Sequence, residues 1–288
     1  MKYAYYPGCS LHSTAKEYDE STHAVCKALD IELQEIPDWN CCGASSAHSM
    51  NHELAIALPL RNLAKAEAIG ADVVSPCAAC FSRLKTADAA VKEDPNLLRT
   101  MAEKFDINYK GSLRVLSLLE AISNLGSDAI KSHVTRELSG LKVASYYGCL
   151  LLRPPSVAQF DDAENPMSMD NIISDLGAEA IEWPYKTECC GASLSLSKPE
   201  VVVKLVHDIL SMAKRAGANC IVTACPLCQG NLDMRQADVE AKYGEKFDMP
   251  IFYFTQLMGK AFGISDSQLG FNKLMVDPGT VLAAIGRE

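Results

Sequence analysis

The chain has 288 residues, 48% of them hydrophobic and 22% charged, with a formal net charge of −9. Its length suits two domains of about 100 to 200 residues, its composition excludes disorder, and its acidity argues against nucleic acid as a partner. No apolar run approaches the roughly 18 to 20 residues of a membrane span, and the start, Met1-Lys2-Tyr3-Ala4-Tyr5-Tyr6, lacks the apolar core of an export signal, so a cytoplasmic protein without membrane insertion is expected.

In chain order, residues 2–6 read as a strand, 14–29 as an amphipathic helix, 31–36 as a strand, 52–69 as a helix and 72–75 as a strand that delivers Cys77-x-x-Cys80. Val115-Leu116-Ser117 adds a further strand. The pattern then starts again, with strands at 142–147, 179–183 and 220–224, helices at 168–176 and 199–216, and Ile251-Phe252-Tyr253-Phe254 as the last strand. Short, nearly continuous apolar strands between helices imply parallel sheets covered on both faces. The expected fold is therefore α/β: two pseudo-symmetric duplicated domains, residues 1–138 and 139–288, each a small doubly wound, Rossmann-like parallel sheet with flanking helices.

The duplication is visible in the cysteine motifs. Tyr5-Tyr6-Pro7-Gly8-Cys9 recurs as Tyr146-Tyr147-Gly148-Cys149. Asn40-Cys41-Cys42-Gly43-Ala44-Ser45 recurs as Glu188-Cys189-Cys190-Gly191-Ala192-Ser193, and Pro76-Cys77-Ala78-Ala79-Cys80 as Ala224-Cys225-Pro226-Leu227-Cys228. Between the first two anchors lie 31 residues in one copy and 39 in the other, which places a surface loop in the second copy around Pro154-Pro155 to Pro166. The next gap is 34 residues in both, the mark of a constrained connection.

Twelve cysteines in a chain read as cytoplasmic point to metal binding or catalysis rather than to disulfides. A cubane or rhombic iron–sulfur cluster takes four thiolates, as does structural zinc, yet each half offers five. Neighbouring side chains on an extended strand point to opposite faces, so Cys41-Cys42 and Cys189-Cys190 require tight turns, for which Gly43 and Gly191 supply positive φ. A shared thiolate, a cluster that departs from the cubane, and zinc in one half all remain open at this level. Cys26, on the apolar stripe of its helix, and Cys220, at the start of a strand, fall outside the repeat and read as core. His12, three residues after Cys9, reads as a polar loop residue or as an asymmetry of a substrate site, since its counterpart is Leu152.

The two Cys-x(31 or 39)-Cys-Cys-Gly-x(33)-Cys-x-x-Cys patterns, together with Tyr6-Pro7-Gly8-Cys9-Ser10-Leu11 and Thr14-Ala15-Lys16-Glu17-Tyr18, resemble the heterodisulfide reductase B-subunit family over nearly the whole chain. The resemblance implies two noncubane [4Fe-4S] clusters, one on Cys9, Cys41, Cys42, Cys77 and Cys80, the other on Cys149, Cys189, Cys190, Cys225 and Cys228. It implies reduction of CoM-S-S-CoB, the mixed disulfide of coenzymes M and B, in a cytoplasmic electron-bifurcating complex of methanogenesis. The chain has no C-x-x-C-x-x-C-x-x-x-C motif, so electrons are expected from a ferredoxin-like C subunit and a flavin-containing A subunit, with a hydrogenase or formate dehydrogenase behind them. The anionic ends of such a disulfide call for cations, and Lys16, Arg83, Arg153, Lys186 and Lys198 stand near the cysteine anchors. Similar motifs also occur in iron–sulfur subunits of glycolate, lactate and glycerol-3-phosphate dehydrogenase systems, which makes a pure electron relay the alternative.

Overall fold

The computed structural model describes residues 1–44 and 47–286, so Ser45 of the repeated motif and the last two positions of the expected second domain lie outside the described residues. The first half runs β1 (Lys2–Tyr5), α1 (Lys16–Ala28), β2 (Glu32–Glu35), α2 (His52–Glu67), β3 (Val73–Ser75), α3 (Ala78–Glu93), β4 (Val115–Ser117) and α4 (Leu118–Ser123). The second repeats it as β5 (Lys142–Tyr146), α5 (Ser168–Asp175), β6 (Glu179–Ala180), α6 (Pro199–Arg215), β7 (Cys220–Thr223), α7 (Pro226–Met234), β8 (Ile251–Tyr253) and α8 (Phe254–Ala261). Each half is a four-stranded parallel sheet, in the orders β2-β1-β3-β4 and β6-β5-β7-β8. Matching registers, Ala4 with Val73 and Val73 with Val115, then Ala144 with Ile221 and Ile221 with Ile251, make the halves two copies of one Rossmann-like α/β unit.

The inner strands β3 and β7 are buried along their whole length, as runs such as Cys220-Ile221-Val222-Thr223 require of a sheet packed on both faces. The edge strand β2 carries Glu32, Gln34 and Glu35 into solvent, which keeps it from pairing with another chain. All eight expected strands form, seven of them shorter than expected by one to three residues, and in two the cause of the stop is visible. β6 stops at Ala180, short of the expected 183, ahead of Trp183-Pro184, where proline has no N–H to give a ladder. β8 stops at Tyr253 because the Gln256 side chain accepts the Tyr253 N–H at 2.9 Å and opens α8, so Phe254 is helical.

The halves meet about a pseudo-two-fold axis. α1 packs on α8 while α5 packs on α4, and the short helix Gly8–Leu11 meets α7 while Pro155–Ala158 meets α3. The buried hydroxyls of Ser21 and Thr255 bond at 2.7 Å across this seam. In each sheet the chain reverses its winding between β1 and β3, or β5 and β7, and the crevice of such a fold lies beyond the carboxyl ends of those strands. Among the described residues no helix is long and apolar enough to cross a membrane.

Candidate metal centre

Every motif cysteine follows a strand's carboxyl end. Cys9 comes after β1, Cys41 and Cys42 after β2, and Cys77 caps the amino end of α3, with Cys80 in its first turn. Cys149, Cys189, Cys190, Cys225 and Cys228 repeat the arrangement, with Cys225 at the cap of α7. The sulfurs converge: Cys42 Sγ lies 3.4 Å from Cys80 Sγ, Cys190 Sγ 3.7 Å from Cys228 Sγ, and Cys149 Sγ 4.0 Å from Cys189 Sγ. The adjacent pairs do sit in tight turns, closed by Gly43 at φ +78° and Gly191 at φ +76°. The backbone N–H of each glycine donates to the sulfur two residues back, Cys41 at 3.5 Å and Cys189 at 3.3 Å.

Two tyrosines that the motif comparison does not single out for a role hold these turns in place. The Tyr6 hydroxyl donates to the Asn40 carbonyl at 2.7 Å, and the Tyr146 hydroxyl to the Glu188 carbonyl at 2.6 Å, in each case the residue before the cysteine pair. Their matching roles align Tyr6 with Tyr146, so Pro7 answers to Tyr147. That each copy keeps a tyrosine three residues before its first cysteine was the available signal.

Hydrogen bonding among the thiols favours charge on selected sulfurs. Bonds from Cys41 and then Cys80 hold the Cys42 thiol well below its ordinary range, with the positive charge of Arg83 adding to the effect. A bond from Cys149 brings Cys189 down to about 6. Cys225 is lowered by bonds from Cys228 and, across the seam, from Cys77, whose own thiol is raised chiefly by Cys225. Cys77 and Cys225, one from each half and both buried, thus act on each other's thiols across the seam, while Cys9, Cys41 and Cys189 are exposed and Cys149 is partly so.

The donor set suits iron–sulfur chemistry, which takes soft thiolates. The backbone leaves room for it at Gly8, where a Cβ would stand 2.8 Å from Cys80 Sγ, and at Gly148, where one would stand 3.0 Å from Cys228 Sγ. Ser75 and Thr223, each two residues before a Cys-x-x-Cys, are buried hydroxyls without a partner among the described residues, the polar groups that a bound sulfur-rich group would satisfy. Among the described residues no three His, Cys, Asp or Glu side chains converge closely enough to hold a single metal ion.

The five candidate cations divide. Arg83 is half-buried and acts on Cys42, while Lys16 and Lys198 are exposed at helix starts. Arg153 bonds Glu164 and the Thr187 hydroxyl, both at 3.2 Å. Lys186 is buried and paired within the chain, its ammonium against Asp170 at 2.9 Å and the Pro166 carbonyl at 3.1 Å. His12 lies 3.4 Å from Glu35 and packs its ring on Trp39, whereas its counterpart Leu152 is buried. Cys26 and Cys220 are core residues, and burial alone pushes the Cys26 thiol up to about 12.

Fold and site together define a duplicated α/β protein with one thiolate-rich centre per half. The chain belongs to the cysteine-rich domain (CCG) family, whose pattern matches residues 3–85 and 143–233. It is similar to the 8-methylmenaquinol:fumarate reductase membrane anchor subunit of Wolinella succinogenes, 34% identical over 96% of this chain and 97% of that one. It is also similar to the B subunit of the ferredoxin/F(420)H(2)-dependent CoB-CoM heterodisulfide reductase of Methanosarcina acetivorans, 28% identical over 99% of this chain and 97% of that one. A crystal structure of a hypothetical protein from Helicobacter pylori shares the fold, with a TM-score of 0.76 at 10% identity over 96% of this chain and 52% of that one.

Proposed function

We propose that the chain is the disulfide-reducing subunit of a multisubunit iron–sulfur oxidoreductase, with one noncubane [4Fe-4S] cluster in each of two domains, residues 1–138 and 139–288. Cys9, Cys41, Cys42, Cys77 and Cys80 hold the first cluster, and Cys149, Cys189, Cys190, Cys225 and Cys228 the second. The observation that carries this reading is the convergence of matching thiols in each half, Cys42 with Cys80 and Cys190 with Cys228, with Cys77 and Cys225 buried and Cys9, Cys41, Cys149 and Cys189 open to solvent in whole or part. Bound there, the clusters supply the two single electrons that one disulfide needs. The chain's part is to keep the rear thiols dry and to hold the front ones where a small molecule reaches both halves at once.

Similarity to the heterodisulfide reductase polypeptide supports CoM-S-S-CoB as substrate and a cytoplasmic complex with ferredoxin-like and flavin-containing subunits as electron source. Arg83, beside Cys42, is the cation best set to meet an anionic end of that molecule. The higher identity to the fumarate reductase polypeptide favours a second reading, in which the same cysteines relay electrons from a quinol towards a fumarate-reducing partner and bind no disulfide.

Anaerobically purified protein should contain about eight iron atoms with matching sulfide and no stoichiometric zinc. Under oxidising conditions coenzyme M should then elicit a new paramagnetic signal. Iron without any response to the thiol leaves the relay; zinc in place of iron defeats both readings.

A further inference from the structure

The seam between the halves carries an aromatic pair that the pseudo-two-fold does not repeat. Tyr18, on α1, lies flat against Tyr253, the last residue of β8, with ring centroids 4.0 Å apart and planes within 6°. α5, the counterpart of α1, contains no tyrosine, and β4, the counterpart of β8, ends in Ser117. Both tyrosines are fully buried. The Tyr253 hydroxyl reaches Gln229 Oε1 at 3.4 Å, whereas the Tyr18 hydroxyl has no partner among the described residues. A phenol sealed from water forfeits free energy unless something accepts its proton, so an orphan of this kind marks a missing acceptor. The Tyr253 ring against which Tyr18 lies reaches Gln229, the residue after Cys228, which places the pair beside the second-half set, and after burial itself Cys225 and then Cys77 act most on the Tyr18 hydroxyl.

We propose that the Tyr18 hydroxyl donates a hydrogen bond to a sulfur of the second-half centre at Cys225 and thereby makes the two centres unequal in reduction potential. The inference rests on the cluster reading above and adds to it the order in which the centres fill. A hydrogen bond to a cluster sulfur favours the more negative, reduced form and so raises that centre's potential. The first-half centre receives no matching donor from α5, so electrons settle on the second-half centre first.

Tyr18→Phe keeps the ring stack and removes the hydroxyl alone. In anaerobically purified, iron-replete protein, a redox titration followed by electron paramagnetic resonance should show one midpoint potential moved to a more negative value and the other unmoved. Tyr253→Phe, whose hydroxyl has Gln229, should move neither. Site-specific fluorotyrosine at position 18, a stronger donor of the same shape, should move the same potential in the positive direction, which a packing role would not do. Unmoved potentials in Tyr18→Phe at wild-type iron content, or equal movement of both, would overturn the inference alone. Wild-type protein devoid of iron would overturn the cluster reading and this inference with it.

Discussion

Gly8 and Gly148 each precede the first cysteine of a set, at φ +72° and +68°. A side chain in that left-handed region costs about 1–2 kcal/mol on its own, and here its Cβ would press on Cys80 or Cys228 sulfur. On the proposed ligand sets, Gly8→Ala should therefore release the first-half cluster and Gly148→Ala the second, each lowering iron and sulfide content to about half. Full iron content in Gly8→Ala would show that the cradle yields. A different residue carries a pH dependence. Glu17 is buried at the seam, and burial raises its carboxyl above the usual glutamate range against the weaker effects of a backbone hydrogen bond and then Lys273. Because its folded pKa lies above its unfolded one, the protonated form is favoured in the folded state, and stability is lost as pH rises from the unfolded value through the folded one. Glu17→Gln should thus melt higher than wild type at pH 7, with the difference vanishing below about pH 4, the unfolded glutamate range. A Tm gap that persists unchanged to acid pH would place the effect elsewhere.

At the scale of elements, one buried ion pair ties together three segments around the second centre. Asp170 on α5 meets Lys186 Nζ at 2.9 Å and accepts the Tyr147 hydroxyl at 2.7 Å, and the Lys186 carbonyl accepts the N–H groups of Tyr147 and Gly148 at 2.8 and 3.1 Å. Tyr147 leads to Cys149, and Lys186 to Cys189. Lys186→Met leaves Asp170 charged, buried and without its ammonium, which should cost about 3–5 kcal/mol in denaturant unfolding. Lys186→Met combined with Asp170→Leu should recover a good part of that loss, since an apolar pair replaces the stranded charge. A double variant no better than the single would mean that the Tyr147 bond, not the ion pair, holds the loops. Position in the chain had marked Lys186 as a substrate contact, being three residues from Cys189, but sequence distance says nothing about which way a side chain turns. The 34-residue gap was legible because it spans the same helix and strand in both halves, α2 to β3 and α6 to β7, whose packing tolerates no change of length. The strands were legible as short apolar runs; the turn from β8 into α8 was not, because Phe254 continues the apolar run and the side-chain bond from Gln256 ends the strand. Tyr18 was read as part of a family-like segment, and its stacking partner Tyr253 lies on β8, more than 230 residues away.

At the scale of the molecule, duplication has produced two cysteine sets that face a common seam. The contacts α1 with α8 and α5 with α4 join the halves at one seam, across which Cys77 and Cys225 act on each other's thiols although each belongs to its own half. The cysteine repeat announced two sites, yet nothing in the spacing sets them side by side, because that depends on which helix faces pack across the axis. Two paramagnetic clusters held by the proposed sets would feel each other's spin. In protein poised so that both are paramagnetic, the resonance spectrum should show broadening or splitting that neither cluster gives alone. Cys42→Ala should leave the unsplit signal of the second-half cluster and Cys190→Ala that of the first, since each variant removes a ligand that the proposed sets assign to one cluster only. The sum of those two spectra should fail to reproduce the wild type. If the sum does reproduce it, the clusters lie too far apart to act on one substrate, and a relay of separate one-electron steps is the better account of what the duplication does.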